Sequence, residues 1–153
     1  MNYEEKSQKL RNYLYAEDTD DFEMLLQQIY QDKTSDAVTC LIRSLEEKSD
    51  FLDEMYLILH TAESYPMKTY LHGLLMTLFE PVANRYWLEV LFLRVINNSQ
   101  YFSELNNMLV SVQTEQLINL KNILEDMSIK NEDLQTKSIV LSNSIDELIN
   151  NKG

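Results

Sequence analysis

Glycine and proline are scarce in this sequence, with only two of each among 153 residues. A chain of β-strands needs many tight turns, which favour these two residues, so their scarcity argues against an all-β fold. Two glycines are also too few for a glycine-rich loop that cradles a phosphate group. The sequence therefore favours helices joined by short polar loops and excludes the glycine-dependent nucleotide motifs.

Cysteine and long apolar runs are also lacking. Cys40 is the only cysteine, so an intramolecular disulfide is impossible, and a single thiol is typical of a reducing compartment. The acidic start of the chain has no apolar core of a signal peptide. No run approaches the roughly 20 apolar residues that span a bilayer. We therefore expect a cytoplasmic protein that does not enter the membrane.

Positive charge is sparse as well: 13 Lys and Arg stand against 25 Asp and Glu, which gives a net charge of −12. The imbalance is greatest early in the chain, where residues 1–63 carry 15 acidic and 6 basic side chains. Such a field repels nucleic acid and anionic lipid and attracts a basic protein. The plainer interpretation, which stays open, is that the charge only keeps the protein soluble.

Apolar residues recur with a period near 3.6 in the central stretch, residues 55–98. This spacing predicts two amphipathic helices, each with a broad apolar face that must pack on a neighbour. Their predicted inner residues are Leu71, Leu74, Leu75, Leu78 and Phe79 in the first helix, and Trp87, Leu88, Leu91 and Val95 in the second.

Similar stripes on both sides of this stretch predict seven to nine helices in all. The expected fold is all-α: one domain over residues 1–153, built as an irregular stack of antiparallel helical hairpins. HEAT-like stacking is one option, since such repeats have periods near 40 residues, but the sequence shows no clean internal repeat.

Several polar residues are predicted to cap these helices. Asp18 or Thr19 is expected to begin the second helix, Ser49 or Asp50 the fourth, and Thr114 the eighth. For the fourth helix the predicted inner face is Leu52, Met55, Tyr56, Leu59 and His60.

No catalytic constellation stands out. His60 and Glu63 share one helical face, but a zinc site needs three or four ligands, and His72 belongs to another predicted helix. Cys40 has no nearby base and is interpreted as a small core residue. We therefore predict no metal, no cofactor and no enzymatic activity. An enzyme with a site assembled from dispersed carboxylates remains an alternative.

Arg94 is unusual because it stands among apolar residues. A buried guanidinium needs a carboxylate partner. The sequence therefore suggests that Arg94 pairs with Glu63 or Glu89 and ties the central helices together.

The same region carries a family pattern: Leu57-x-x-His60-x-Ala62-Glu63-Ser64-Tyr65, then Tyr70-x-x-Gly73-Leu74-Leu75, then Ala83-x-x-x-Trp87 and Arg94-Val95-Ile96-Asn97. This pattern resembles the immunity protein 30 family of bacterial polymorphic toxin systems. Members carry a similar His-x-Ala-Glu-Ser run, a later Trp and an ending of Arg, two aliphatic residues and Asn. The resemblance covers Tyr56 to Met108.

The resemblance implies a non-enzymatic, all-helical immunity protein that binds and neutralises a cognate toxin, as in contact-dependent inhibition between bacteria. Many such toxins are nucleases with basic surfaces, which an acidic inhibitor can occlude. The motif residues are expected to be structural: His60, Glu63, Trp87, Arg94 and Asn97. Partner binding is expected instead at the acidic residues Glu17, Asp18, Asp20, Asp21, Asp50, Asp53 and Glu54. The alternative function is a helical scaffold or adaptor that docks a segment of a partner protein.

Overall fold

A computed structural model describes residues 1–47, 50–80 and 84–152 of this chain, with side chains described as far as residue 151. This part of the chain is all-α: it contains nine α-helices and no β-strand, as predicted. The helices are α1 Tyr3–Tyr15, α2 Thr19–Gln31, α3 Ser35–Arg43, α4 Leu52–Glu63, α5 Met67–Met76, α6 Arg85–Ile96, α7 Ser99–Met108, α8 Thr114–Lys130 and α9 Gln135–Lys152. Short 3-10 turns lie at Thr77–Phe79, Leu109–Ser111 and Glu132–Leu134.

Side-chain caps explain where four of these helices begin. The carboxylate of Asp18 accepts a hydrogen bond from a backbone N–H in the first turn of α2, as the sequence predicted. Asn2, Thr34 and Asn98 do the same for α1, α3 and α7. Each cap satisfies N–H groups that have no partner inside the helix.

Two predicted caps are wrong. Gln113 precedes α8 and forms a capping box with Gln116, whereas Thr114 is the first helical residue. Phe51, and not Asp50, stands at the N-cap position of α4, where no side chain caps the helix. Ser49, the other candidate, lies outside the described residues.

Residues Met1–Thr77 form one compact unit, which we call the N-terminal unit. In it α3 packs against α1, α4 and α5, and its apolar residues are almost wholly buried. Gly73 of α5 lies tightly against α3. A Cβ atom on Gly73 would lie 2.6 Å from Val38 Cβ and 2.7 Å from the Ser35 carbonyl oxygen.

The predicted inner face of α4 is partly wrong. Met55 and Leu59 are buried as expected, but Leu52, Tyr56 and His60 are exposed. The face that packs inward consists of Met55, Ile58, Leu59 and Ala62. This helix is apolar nearly all round, so its periodicity marks no single face and the neighbouring helices decide which side is buried.

Residues Leu78–Gly153 form a second compact unit, the C-terminal unit. Here α8 packs along α9 and also contacts α6. Trp87 and Leu91 of α6 are buried in this core, as the sequence predicted. The predicted single domain and HEAT-like stacking remain predictions. No helix among the described residues is long and apolar enough to span a bilayer.

Candidate functional site

The acidic residues predicted to bind a partner all lie in the N-terminal unit. We call them the acidic surface: Glu17, Asp18, Asp20, Asp21, Asp50, Asp53 and Glu54. Asp18 and Glu54 are half-buried, and the other five are exposed. Within the described residues, none of the seven forms an ion pair with a lysine or arginine.

The structure brings three of these residues together around one hollow of about 220 Å³, the acidic hollow. Glu17 and Asp18 come from the link between α1 and α2, and Glu54 comes from the first turn of α4. The remaining lining residues are Tyr13, Leu14, Thr19, Phe22 and Phe51. Carboxylates that are far apart in the sequence therefore share a recess with three aromatic rings.

The link between α1 and α2 holds Glu17 in an unusual backbone conformation. Its φ is +55°, and it is the one described non-glycine residue with a positive φ. Its N–H donates to the Leu14 carbonyl at 3.0 Å, and the Asp18 N–H donates to the Tyr13 carbonyl at 2.9 Å. These two bonds form a Schellman motif, which usually places glycine at this position. Glu17 lines the acidic hollow, and its positive φ is sterically less favourable for glutamate than for glycine.

Mutual repulsion is evident at Asp18 and Asp21. The Asp21 backbone N–H donates to Asp18 Oδ1 at 3.3 Å, which caps α2 and holds the two side chains close together. A hydrogen bond between the two carboxyl groups, reinforced by the negative charge of Asp18, raises the pKa of Asp21. A cation from a partner would relieve this repulsion.

The aromatic residues of the hollow were not among the predicted site residues. Phe51 is half-buried, and its ring lies edge-on to that of Tyr15 with the centroids 5.8 Å apart. A signal was available in the sequence, because Phe51 stands between Asp50 and Asp53 just before a helix. Its position beside Tyr15 depends on how the fold brings the end of α1 to the start of α4, which the sequence does not reveal.

A second hollow, of about 330 Å³, lies between α2 and α4 and is less acidic. We call it the apolar hollow because Leu26 and Leu57 line it. The other lining residues are Glu23, Gln27, Tyr30, Thr61 and Ser64. Leu57 is 38% exposed and Met24 on α2 is 59% exposed, so apolar surface is accessible on these two helices.

The family-pattern residues differ in burial, and their structural role stays a prediction. Trp87 is 2% exposed, but His60, Arg94 and Asn97 are exposed, and Glu63 is half-buried. The argument for a buried guanidinium at Arg94 is therefore wrong. Which carboxylate Arg94 pairs with stays a prediction. Ala83, also part of the pattern, lies outside the described residues.

The residues considered for chemistry have structural partners. His60 Nδ1 lies 3.5 Å from Glu63 Oε1, and His72 Nδ1 lies 3.1 Å from Ser35 Oγ. Burial raises the pKa of Cys40 to about 11, so its thiol is protonated at neutral pH. In the ranges that the structure describes, no group of three or more His, Cys, Asp or Glu side chains could hold a metal ion.

These features define an all-α protein whose most distinctive chemistry is a set of carboxylates that form no ion pair with a lysine or arginine in the part of the chain that the structure describes. Comparison with known families then gives a more specific identity. The family model of immunity protein 30 matches residues 8–105, which is more than half of the chain, so this chain belongs to that family. No curated protein and no solved structure matches it. The matched region runs from α1 into α7, and α8 and α9 lie beyond it.

Proposed function

We propose that this protein binds a cognate bacterial toxin through the acidic surface and neutralises it by occlusion. The observation that carries the proposal is that carboxylates from two distant acidic runs, Glu17 and Asp18 from one and Glu54 from the other, line one hollow. Membership of the immunity protein 30 family supports an immunity role. That a toxin is the partner, and that the acidic surface contacts it, are our proposal.

The charge of the surface supports a basic partner. Within the described residues, none of the seven carboxylates forms an ion pair with a lysine or arginine side chain. Unneutralised charge on one face raises the rate at which an oppositely charged protein docks. A nuclease toxin fits this description, because its surface must attract the phosphates of nucleic acid. The inhibitor would then cover the surface that the nucleic acid needs.

We also infer that the protein acts by binding rather than by catalysis, and that it acts in the cytoplasm. Support for binding comes from the buried, protonated Cys40 and from the two histidines, which have structural partners. The single cysteine supports a reducing compartment.

The test is charge reversal on the acidic surface. Asp20→Lys with Asp21→Lys should slow association with the toxin domain encoded beside this gene by about tenfold at low salt, since steering depends on the local field. The salt dependence of the rate should also weaken. Stopped-flow association kinetics at several salt concentrations would measure both effects.

The matched control is Glu132→Lys with Asp133→Lys, another exposed acidic pair, which lies on the C-terminal unit. It makes the same change in net charge at another place. An unchanged rate and salt dependence for the Asp20 and Asp21 variant would contradict the proposed interface. So would equal slowing by the control pair.

A helical adaptor that docks a partner segment is the second candidate. The exposed apolar side chains of Met24 and Leu57 on α2 and α4 favour it. Survival of cells that produce the toxin separates the two functions. An immunity protein restores growth, whereas an adaptor binds its partner without protecting the cell.

A further inference from the structure

The two hollows of the N-terminal unit lie one after the other along the same pair of helices. The acidic hollow is lined by Phe22 of α2 and Glu54 of α4, and the apolar hollow by Leu26 of α2 and Leu57 of α4. In both helices the residues of the apolar hollow come later in the chain. Hence α2 and α4 run side by side in the same direction, and the two hollows follow one another between these helices. We call the two hollows together the α2–α4 groove.

The length of this groove follows from helix geometry. Glu54 of the acidic hollow and Thr61 of the apolar hollow are both on α4, seven residues apart. At 1.5 Å per residue the two positions are separated by about 10 Å along the helix axis. A single segment of a partner can therefore reach both hollows.

The acidic hollow suits one cationic side chain. Its volume of about 220 Å³ is below the roughly 300–1,000 Å³ of pockets that take whole small-molecule ligands. Carboxylates and aromatic side chains both line it, and these are the groups that a guanidinium contacts by bidentate hydrogen bonds and by stacking. Arginine fits this combination better than lysine, whose ammonium is a compact point charge.

The apolar hollow suits an uncharged side chain. Leu26 is buried beneath it, and Leu57 at its edge is 38% exposed. Gln27, Thr61 and Ser64 supply neutral hydrogen-bonding groups around these two leucines. The acidity of the groove thus falls from one end to the other, because three carboxylates line the first hollow and only Glu23 lines the second.

We propose that the α2–α4 groove receives one segment of the toxin, which places an arginine in the acidic hollow and an apolar side chain in the apolar hollow about 10 Å away. This inference rests on the proposed function and specifies the contact within it. The charge gradient fixes the direction of the bound segment, since its basic end must lie beside Glu54.

The experiment measures the affinity of the toxin domain, made catalytically inactive, for three forms of the full chain: natural, Glu54→Lys and Leu57→Asp. Each substitution should weaken binding tenfold or more, as expected for a central contact of an interface. Circular dichroism and thermal unfolding establish that the variants are folded. Leu57→Ala gives a milder second variant, with an expected loss of about threefold to tenfold.

Two control variants match these changes outside the groove. Glu115 lies in the first turn of α8 as Glu54 lies in the first turn of α4, and Ile118 is an exposed aliphatic residue of a helix, like Leu57. Glu115→Lys and Ile118→Asp should leave the affinity within twofold. If they weaken binding as much as the groove variants do, the assignment to the groove is wrong.

A charge swap tests the arginine directly. Each arginine of the toxin domain is changed to glutamate in turn. One of these toxin variants should bind the Glu54→Lys protein at least tenfold more tightly than the natural toxin domain does. If no arginine does so, the arginine contact is overturned. If the natural chain, Glu54→Lys and Leu57→Asp all bind the toxin equally well, the groove proposal fails and the proposed function does not. If the natural chain does not bind the toxin, the proposed function fails.

Discussion

The two compact units of this protein use their charged residues differently. The N-terminal unit has 15 acidic and 7 basic side chains, and the C-terminal unit has 10 and 6. In the C-terminal unit, basic side chains join helices: Lys121 Nζ lies 2.6 Å from Asp146 Oδ1, and Lys130 Nζ lies 3.1 Å from Glu89 Oε1. In the N-terminal unit the acidic surface has no such pairs among the described residues.

This difference indicates which charges serve the fold and which are available to a partner. An interhelical ion pair contributes a little to the stability of its own unit. Unpaired carboxylates held close together, such as Asp18 and Asp21, repel one another and contribute nothing of that kind. The N-terminal unit has an ion pair between Arg11 and Glu46 at 3.7 Å, but within the described residues its acidic surface adds none, and four predictions test this contrast.

The largest effect is expected at Gly73, where α5 lies tightly against α3. Gly73→Ala should lower the free energy of unfolding by about 2–3 kcal/mol, because the new Cβ would overlap Val38 and the Ser35 carbonyl. Urea denaturation followed by circular dichroism would measure the loss. Lys68→Ala, at an exposed position of the same helix, should change it by less than about 0.5 kcal/mol. If Gly73→Ala is as stable as the natural chain, the packing between α3 and α5 at Gly73 is loose.

Glu17 should separate stability from binding. Glu17→Gly should raise the free energy of unfolding by about 0.5–1 kcal/mol, because glycine adopts a positive φ without steric cost. It should also slow toxin association, because one carboxylate of the acidic surface is lost. Ala16→Gly is the matched control: φ at Ala16 is −81°, so glycine there should not stabilise the fold. A less stable Glu17→Gly variant would contradict the backbone argument.

An effect of similar size is expected from neutralising a carboxylate that is paired in the C-terminal unit. Glu89 is 15% exposed and accepts two hydrogen bonds of 3.1 Å from Lys130. Glu89→Gln should therefore lower the free energy of unfolding by about 0.5–1 kcal/mol. Glu23→Gln in the N-terminal unit should leave the unfolding midpoint in urea unchanged. If the two variants lose the same stability, the contrast between the units is wrong.

The smallest effect concerns pH. The pKa of Asp21 is raised by Asp18, so the charged form of Asp21 is disfavoured in the folded state. Protonated Asp21 stabilises the folded state relative to charged Asp21. This contribution is complete below the ordinary aspartate pKa of 3.8, and it is lost as the pH rises through the raised pKa. Asp21→Asn should therefore match the natural chain in acid and become the more stable form at higher pH.

Thermal unfolding over a series of pH values would show where the two curves separate. Asp21→Glu keeps the charge and should retain the pH dependence of the natural chain. Curves for Asp21→Asn and the natural chain that coincide at every pH would show that Asp18 and Asp21 do not repel each other.

Much of the fold was predictable from the sequence. Helical periodicity identified the stripes that the structure buries, and polar residues with a strong capping preference marked the start of α2 at Asp18. Periodicity failed at α4, where apolar residues surround the helix. The apolar neighbours of Arg94 along the chain suggested burial for a residue that is exposed. In both places the neighbours of a residue along the chain differ from its neighbours in space.

The sequence by itself determined the helical class, the excess of negative charge and the family, because each follows from residue types and their local spacing. Only the tertiary structure decided that Asp18 and Glu54 share a hollow with Phe51, and that Leu57 lines a second hollow further along the same two helices. The physical reason is that the direction and side of contact between α2 and α4 depend on how apolar faces distant in the sequence pack together. Local spacing carries no information about that packing.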